Sequence, residues 1–180
     1  PELINIFLWQ NLMLAFVAFS LCSSVGYIMN DIIDLRSDQA HPIKKSRPIA
    51  SGFFSINTVL LFAILLGLIC IYLSMLVGKL FCIVLLIYFI AVQGYSFKFK
   101  KIHIMDCVVL SFLYIMRIIA GALAANLNIS IWLLSFSLFF FFSFALLKRY
   151  SELQNHTSTA IASFGRGYTK DDLPLVMSMG

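Results

Sequence analysis

The sequence predicts an all-α fold, a bundle of helices that spans a membrane several times. The first observation is composition: 61% of the 180 residues are hydrophobic, only 12% are charged, and the mean hydropathy is +0.96. A soluble domain of this size is about half apolar and a quarter charged, and it could not hide so much apolar surface from water. The same composition excludes a disordered chain.

The second observation is five apolar runs, each long enough to cross a bilayer as a helix. Helices are expected because a spanning segment must satisfy its own backbone hydrogen bonds, and no run shows the alternation of a barrel strand. The predicted spans are approximately Leu3–Met29, Ile56–Val77, Leu80–Phe97, Ile102–Ala125 and Ile129–Leu147. A sixth span begins near Leu173. Because the chain opens without Met and stops within an apolar run, we expect residues 1–180 to form one membrane-embedded domain of a longer protein.

The basic residues divide the connecting segments into two sets. Eleven of the 13 Lys and Arg residues follow the first, third and fifth spans, whereas Lys79 lies on the opposite side and Arg117 lies within the fourth span. The positive-inside rule therefore places the three basic segments in the cytoplasm. We expect an integral protein of a bacterial-type inner or plasma membrane, surrounded by lipid, with tight hairpins on the opposite side and no nucleic-acid partner.

The first span ends in a cluster of acidic side chains. If the helix continues, Asn30, Asp34 and Asp38 are four residues apart and Asp31 is three before Asp34, so that all four share one face. Neighbouring carboxylates repel each other unless a cation lies between them, and Mg²⁺ prefers a few carboxylate oxygens together with phosphate oxygens. The pattern predicts a Mg²⁺ site, with a solvated acidic helix end as the alternative.

A basic loop follows this cluster directly and contains Lys44 and Arg47 between two prolines. Acidic and then basic side chains are what a metal–diphosphate site needs, because carboxylates hold the metal while Lys and Arg hold phosphate oxygens.

The two later basic segments are more ambiguous. Tyr95 lies at the end of the third span and Lys98 follows it, in a position where basic residues are more often orientation signals or lipid contacts. Lys148, Arg149 and Glu152 follow the fifth span. They form either an i, i+4 pair between Lys148 and Glu152 or a second cation- or phosphate-binding cluster.

The fourth span contains two ionisable residues, Asp106 and Arg117. Their separation of about three turns places them on one stripe with Tyr114, too far apart to pair directly. Because charges inside a span are costly and usually face a cavity or each other, Arg117 is a candidate functional residue. A buried ion pair with another helix is the alternative.

Together these residues resemble the UbiA superfamily of intramembrane prenyltransferases. The matching segments are the Asp-rich motif Asn30–Asp38, the stretch Arg47–Gly52, the region Tyr95–Lys98, and the fourth-span residues Asp106, Arg117, Ala120 and Gly121. The resemblance implies about nine helical spans around a central cavity, of which this chain would cover helices two to six and the start of the seventh.

Two departures from the usual family pattern resemble one branch, the decaprenyl-phosphate phosphoribosyltransferases. The second D-x-x-x-D motif of the family is replaced by the segment Lys148–Glu152, and His41 and Lys44 precede Arg47-Pro48 where Arg-Thr is usual. This resemblance implies Mg²⁺-dependent transfer of 5-phosphoribose from phosphoribosyl diphosphate to a polyprenyl phosphate, a step toward cell-wall glycans.

The resemblance also implies roles for individual residues. Those expected to hold Mg²⁺ are Asp31 and Asp34, with Asn30 and Asp38. Those expected to contact phosphates are Lys44, Arg47, Lys98, Lys148 and Arg149. Those expected to line the sugar or acceptor pocket are Tyr95, Arg117 and Glu152. The residues expected to carry the reaction are Asp31, Asp34, Arg117 and Glu152.

Two other functions remain open at this point. One is a prenyltransferase that moves a polyprenyl group from its diphosphate to an aromatic acceptor similar to 4-hydroxybenzoate. The other is a transporter, which predicts intramembrane charges without an acid-then-base loop and little dependence on Mg²⁺.

Overall fold

The computed structural model describes residues 6–155 and the isolated positions 174 and 177, and within these residues it contains helices and no strands. The helices are α1 (Ile6–Ile33), α2 (Leu35–Ala40), α3 (Ile56–Val77), α4 (Lys79–Phe97), α5 (Met105–Ala124) and α6 (Ile131–Asn155). All except α2 are long and apolar enough to cross a membrane. The all-α prediction and the five spans are therefore confirmed, whereas the predicted sixth span falls largely outside the described residues.

The helices extend past the apolar runs at two charged ends. Helix α1 continues to Ile33 rather than ending near Met29, and α6 continues to Asn155 rather than ending near Leu147. Polar residues end a hydropathy signal, but they do not break backbone hydrogen bonding, so the predicted ends of these two helices were short by several residues. As a result, Lys148, Arg149 and Glu152 lie on a helix.

Helices α3 and α4 are joined by the tight connection expected on the weakly charged side. The N-terminus of α3 is capped by Ser55, whose Oγ accepts a hydrogen bond of 3.2 Å from the Thr58 N–H. At its other end only Gly78 separates α3 from α4, with a φ of +150° that residues with a side chain rarely adopt.

The chain divides into two compact units. The first contains Pro1–Gln93 and Met116–Ile129, and the second contains Gly94–Ile115 and Ser130–Gly180, so that the division passes through α4 and α5. The assignment of residues 1–180 to a single domain stays a prediction.

Small residues allow close packing of helices in the first unit. The α1–α3 contact includes Ala18, which is fully buried and whose carbonyl accepts a hydrogen bond from the Cys70 thiol at 3.3 Å. Against α4, a Cβ on Gly26 would lie 2.9 Å from Cγ1 of Val92, closer than two carbon atoms approach. Small side chains at helix contacts of this kind are typical of membrane proteins, where packing rather than water exclusion drives association.

Helices α1 and α4 run in the same direction. Three contacts show this, because the residue numbers rise together in both helices: Cys22 Sγ to the Leu85 carbonyl at 3.9 Å, Ser23 Oγ to Tyr88 Oη at 3.1 Å, and the Gly26–Val92 contact. Parallel helices end on the same side of a membrane. The loop after α1 and the chain leaving α4 are therefore on one side, as the distribution of basic residues predicts.

The second unit packs the first half of α5 against α6. Its core consists of Cys107, Ala145, Leu146 and Leu153. Tyr114 stacks on Phe141 with 4.7 Å between the ring centroids. These contacts position the charged end of α6.

Large apolar side chains cover the outer face of α3. Leu61, Leu68 and Met75 repeat at intervals of seven and are 61–69% exposed. Such a continuous exposed apolar stripe on a helix of this length indicates a lipid-facing surface. The chain is an integral membrane protein.

Candidate functional site

The acidic residues at the end of α1 keep one helical register through a break in the helix. Asp34 lies in a turn between α1 and α2, yet its N–H bonds the Asn30 carbonyl at 2.9 Å and its carbonyl accepts the Asp38 N–H at 2.8 Å. These i, i+4 bonds hold Asn30, Asp34 and Asp38 at the spacing expected for a shared face.

Arg47 joins two of the acidic residues. Its Nη1 donates to Asp31 Oδ1 at 3.0 Å and to Asp38 Oδ2 at 2.9 Å, so the two carboxylates converge on one cationic nitrogen. Lys44 Nζ lies 3.9 Å from the other oxygen of Asp38. The Asp38 side chain is almost fully buried, whereas the Arg47 side chain is 42% exposed. The acid-then-base pattern in the sequence therefore folds into one cluster, which we call the carboxylate–arginine cluster: Asp31, Asp38, Lys44 and Arg47.

His41 shapes the loop that carries the two basic residues. Its Nδ1 accepts hydrogen bonds from the backbone N–H groups of Ile43 at 3.1 Å and Lys44 at 3.3 Å. These bonds begin the 3₁₀ turn Lys44–Ser46, at whose end the Arg47 N–H bonds the Lys44 carbonyl at 3.0 Å. No structural role was expected for His41 from the sequence. Its position three residues before Lys44 was the available signal, because such a side chain can cap a turn.

The carboxylate–arginine cluster contains two carboxylates of the kind that a divalent cation uses as ligands. Two carboxylates already converge on a positive charge, and Mg²⁺ commonly takes one or two protein carboxylates and completes its shell with water and phosphate oxygens. No group of three or more His, Cys, Asp or Glu side chains that could hold a metal occurs within the described part of the chain. The residues fit a metal that arrives with a phosphate ligand better than one held by protein groups alone.

The second unit contains a buried ion cluster. Arg149 donates from Nη2 to Asp106 and from Nη1 to Glu152, which joins the first turn of α5 to the end of α6. Asp106 is fully buried and Arg149 is 5% exposed. The structure thus pairs Glu152 with Arg149 at i, i+3, where the sequence suggested Lys148 at i, i+4. Lys148 itself is exposed.

Arg117 lies in the first unit beside a tyrosine of α4. Its Nη2 donates to Tyr88 Oη at 3.2 Å, and its guanidinium carbon lies 5.9 Å from the centre of the Tyr88 ring. The same hydroxyl is within hydrogen-bond distance of Ser23, and Arg117 lines a cavity of about 570 Å³ together with Ser20 and Tyr27. As the sequence indicated, Asp106 and Arg117 have different partners. Arg117 thus faces a cavity whose walls are mostly apolar, and its functional role stays a prediction.

Gln93 is a polar residue of α4 that the sequence analysis did not single out. Its amide nitrogen and oxygen are both buried and have no hydrogen-bond partner among the described residues. Because buried amides are almost always hydrogen-bonded, Gln93 is a candidate for contact with a bound ligand. A glutamine inside an otherwise apolar span was the signal for it.

The structure shows where the remaining predicted site residues lie, but their positions do not test their roles. Tyr95 is partly buried near the end of α4, and Lys98 is exposed directly after it. The roles of Tyr95, Lys98 and Lys148 stay predictions. The phosphate contact predicted for Arg149 also stays a prediction, and it would require this guanidinium to share or leave its two carboxylates.

The described residues thus form membrane-spanning helices with a carboxylate–arginine cluster at the end of one of them. The model of the UbiA prenyltransferase family matches residues 4–165. The chain belongs to this family.

The curated relatives have different names, and they include a phosphoribosyltransferase, a nodulation protein and a synthase. The chain is 31% identical to decaprenyl-phosphate phosphoribosyltransferase of Mycobacterium tuberculosis over 92% of its own length and 56% of that protein. It is 36% identical to nodulation protein NoeC of Azorhizobium caulinodans over 92% of its own length and 54% of the relative. It is 29% identical to digeranylgeranylglyceryl phosphate synthase of Methanococcus maripaludis over 88% of its own length and 56% of the relative. The chain therefore spans about half the length of these curated relatives.

Proposed function

We propose that the protein transfers 5-phosphoribose from phosphoribosyl diphosphate to a polyprenyl phosphate, with Mg²⁺ held at the carboxylate–arginine cluster. The observation that carries this proposal is the convergence of Asp31 and Asp38 on one cationic nitrogen supplied by the following basic loop. Similarity to a decaprenyl-phosphate phosphoribosyltransferase over nearly the whole chain supports the choice of substrates.

In this proposal the protein residues bind and orient the donor. Asp31, Asp34 and Asp38, with Asn30, would hold Mg²⁺, which neutralises charge on the departing diphosphate. Lys44 and Arg47 would bind its phosphate oxygens and stabilise the negative charge that develops as the bond to the sugar breaks. The exposed part of Arg47 leaves its guanidinium accessible to such a ligand.

The phosphoribosyl donor needs more cationic contacts than a prenyl diphosphate, because it carries an additional 5-phosphate. Lys148, where most family members have an aspartate motif, is exposed and available for such a contact. Arg149 and Glu152 are already joined to each other and to Asp106, so in this proposal the triad orients the end of α6 and presents Glu152, which is 34% exposed, to the sugar.

Arg117, Tyr88 and Ser23 would line the acceptor side. Their hydrogen-bonded group lies within the membrane-spanning part of the first unit, and Ser23 and Arg117 line a cavity together with aromatic side chains such as Phe16 and Phe19. One cation, hydroxyl groups and aromatic walls suit a lipid acceptor with an anionic head. We assign the basic loops to the cytoplasm, where a water-soluble phosphoribosyl donor would be present.

A second candidate is prenyl transfer from a prenyl diphosphate to an aromatic acceptor. The family description and the similarity to digeranylgeranylglyceryl phosphate synthase favour a prenyl donor. The carboxylate–arginine cluster would serve either donor, because both transfer reactions release a diphosphate that is bound to the metal.

The test compares the two donors with full-length protein in detergent. Radiolabelled phosphoribosyl diphosphate with polyprenyl phosphate is one reaction, and a radiolabelled prenyl diphosphate with 4-hydroxybenzoate is the other, each with Mg²⁺ and with a chelator. We expect Mg²⁺-dependent transfer of label into the lipid phase from the phosphoribosyl donor, and no Mg²⁺-dependent prenylated 4-hydroxybenzoate from the prenyl donor, whose label is lipid-soluble before any reaction. Label transfer only from the prenyl donor would contradict the proposed substrates and support the second candidate.

A further inference from the structure

Arg47 occupies the point at which two proposed metal ligands converge. Its Nη1 lies 3.0 Å from Asp31 Oδ1 and 2.9 Å from Asp38 Oδ2. Arg47, which is proposed to bind phosphate, therefore donates hydrogen bonds to Asp31 and Asp38, which are proposed to bind the metal. Arg47 and the metal would compete for the same carboxylate oxygens.

The guanidinium and a divalent cation cannot use this point together. Mg²⁺ requires oxygen ligands at about 2.0–2.1 Å, so a metal between the two carboxylates would replace Nη1 there. The metal would also compete with Lys44, but less directly, since Lys44 Nζ is 3.9 Å from Asp38 Oδ1. Two like-charged groups so close to an incoming dication raise the free energy of binding the bare metal.

A guanidinium released from the carboxylates requires a new anion. Arginine has five N–H donors in a fork that matches phosphate oxygens. Arg47 is attached to a loop rather than to a long helix, and 42% of its side chain is exposed, so it can rotate without unpacking a core. A diphosphate bound to the metal would supply this anion beside the cluster.

We infer that Arg47 couples metal binding to diphosphate binding, so that the preferred ligand of this site is a metal–diphosphate complex rather than bare metal. This inference rests on the proposed function, since it assumes that Asp31 and Asp38 bind the metal. Coupling is reciprocal: if the diphosphate tightens metal binding, the metal tightens diphosphate binding by the same factor.

Mn²⁺ binding to the full-length protein tests the inference without catalysis. Free Mn²⁺ is followed by electron paramagnetic resonance, with and without methylenediphosphonate, a diphosphate analogue that cannot be cleaved, and with a correction for the complex that the analogue forms with Mn²⁺ in solution. The variants are Arg47→Ala and Arg47→Gln. Lys45→Ala is the matched control, because Lys45 is an exposed cation of the same loop. The double variant Asp31→Asn/Asp38→Asn locates the bound metal.

We expect Arg47→Ala to bind Mn²⁺ alone roughly two- to tenfold more tightly than wild type, the range expected when two ion pairs made by a partly exposed guanidinium are lost. We also expect the tightening that methylenediphosphonate causes to fall at least threefold, while Lys45→Ala changes neither quantity. Arg47→Gln should behave as Arg47→Ala does, which guards against a variant that fails to fold.

Two results would overturn the inference in distinguishable ways. If Mn²⁺ binds wild type but not the double aspartate variant, and the Arg47 variants bind Mn²⁺ alone no more tightly, the proposed metal site stands and the coupling role of Arg47 is wrong. If wild type binds no Mn²⁺ with or without the diphosphonate, or binds it equally in the double variant, the metal site fails and the inference fails with it.

Discussion

At the scale of single residues, the structure separates two arginines that look alike in the sequence. Arg47 is partly exposed and bridges two carboxylates beside a loop, whereas Arg149 is buried between Asp106 and Glu152. Partly exposed ion pairs contribute about 0–1 kcal/mol, but removing one partner of a buried pair leaves an uncompensated charge. We therefore expect Arg47 to act on ligands and Arg149 to hold structure.

The first prediction concerns Asp106, which is fully buried against Arg149. Asp106→Asn should destabilise the protein by about 3–5 kcal/mol, because the guanidinium loses its buried counter-charge. Thermal unfolding in detergent measures this as a large fall in Tm. The control Lys148→Ala removes an exposed charge one residue from Arg149 and should change stability by about 0.5 kcal/mol or less. Equal Tm values for the two variants would show that the ion cluster does not hold α5 and α6.

The partners of these residues could not be predicted from the sequence. The order of the carboxylates in α1 and α2 and of the basic loop predicts a candidate site, since 16 residues or fewer separate Asp31, Asp38 and Arg47. The Asp106–Arg149 pair spans 43 residues and depends on how two helices pack. Periodicity assigns residues to faces, but it does not determine which helix lies opposite. For the same reason the buried amide of Gln93 was missed.

At the scale of helices, hydropathy predicts the middle of each span better than its ends. Helix α3 was predicted to the residue, because Ser55 and Gly78 punctuate an uninterrupted apolar run. The predicted ends of helices α1 and α6 came too early, because polar residues extend each helix beyond its apolar run. The polar ends contain Asp31 and Glu152, so the site residues lie where hydropathy is least informative.

The second prediction concerns the close contact between α1 and α4. Gly26→Ala would place a Cβ 2.9 Å from a methyl group of Val92, a branched side chain with little freedom to move. We expect a loss of about 1–3 kcal/mol, measured as a lower Tm in detergent.

Gly67→Ala in α3 is the matched control, because a Cβ there meets nothing within 4 Å. It should be neutral or stabilise the helix by up to about 1 kcal/mol. The double variant Gly26→Ala/Val92→Ala should recover stability relative to Gly26→Ala. If Gly26→Ala were as stable as Gly67→Ala, the two helices would not pack as closely as the structure indicates.

At the scale of the whole molecule, the helices and the charges agree on one orientation. The parallel course of α1 and α4 requires their following loops to lie on the same side of the membrane. The excess of Lys and Arg in those loops predicts that this side is the cytoplasmic one.

The third prediction tests this orientation by cysteine labelling in intact cells. In a variant with Cys22, Cys70, Cys82 and Cys107 replaced by alanine, we expect Asn128→Cys to react with an impermeant maleimide added outside. Lys45→Cys and Lys101→Cys should react only after the membrane is permeabilised. All three substituted positions are exposed in the structure. Labelling of Lys45→Cys from outside would show that the protein has the opposite orientation.

The central claim is that the end of α1 and the loop after it form the metal–diphosphate site of a UbiA-family transferase. The most direct test is the rate of phosphoribosyl transfer by Asp31→Asn, measured as a function of Mg²⁺ concentration at saturating donor. This rate is compared with that of wild type, after thermal unfolding has shown that the two proteins have the same Tm. We expect a loss of at least about 100-fold, because a residue that places charge against the departing diphosphate acts in the transition state. A variant with the rate and the Mg²⁺ dependence of wild type would show that the end of α1 is not the metal–diphosphate site.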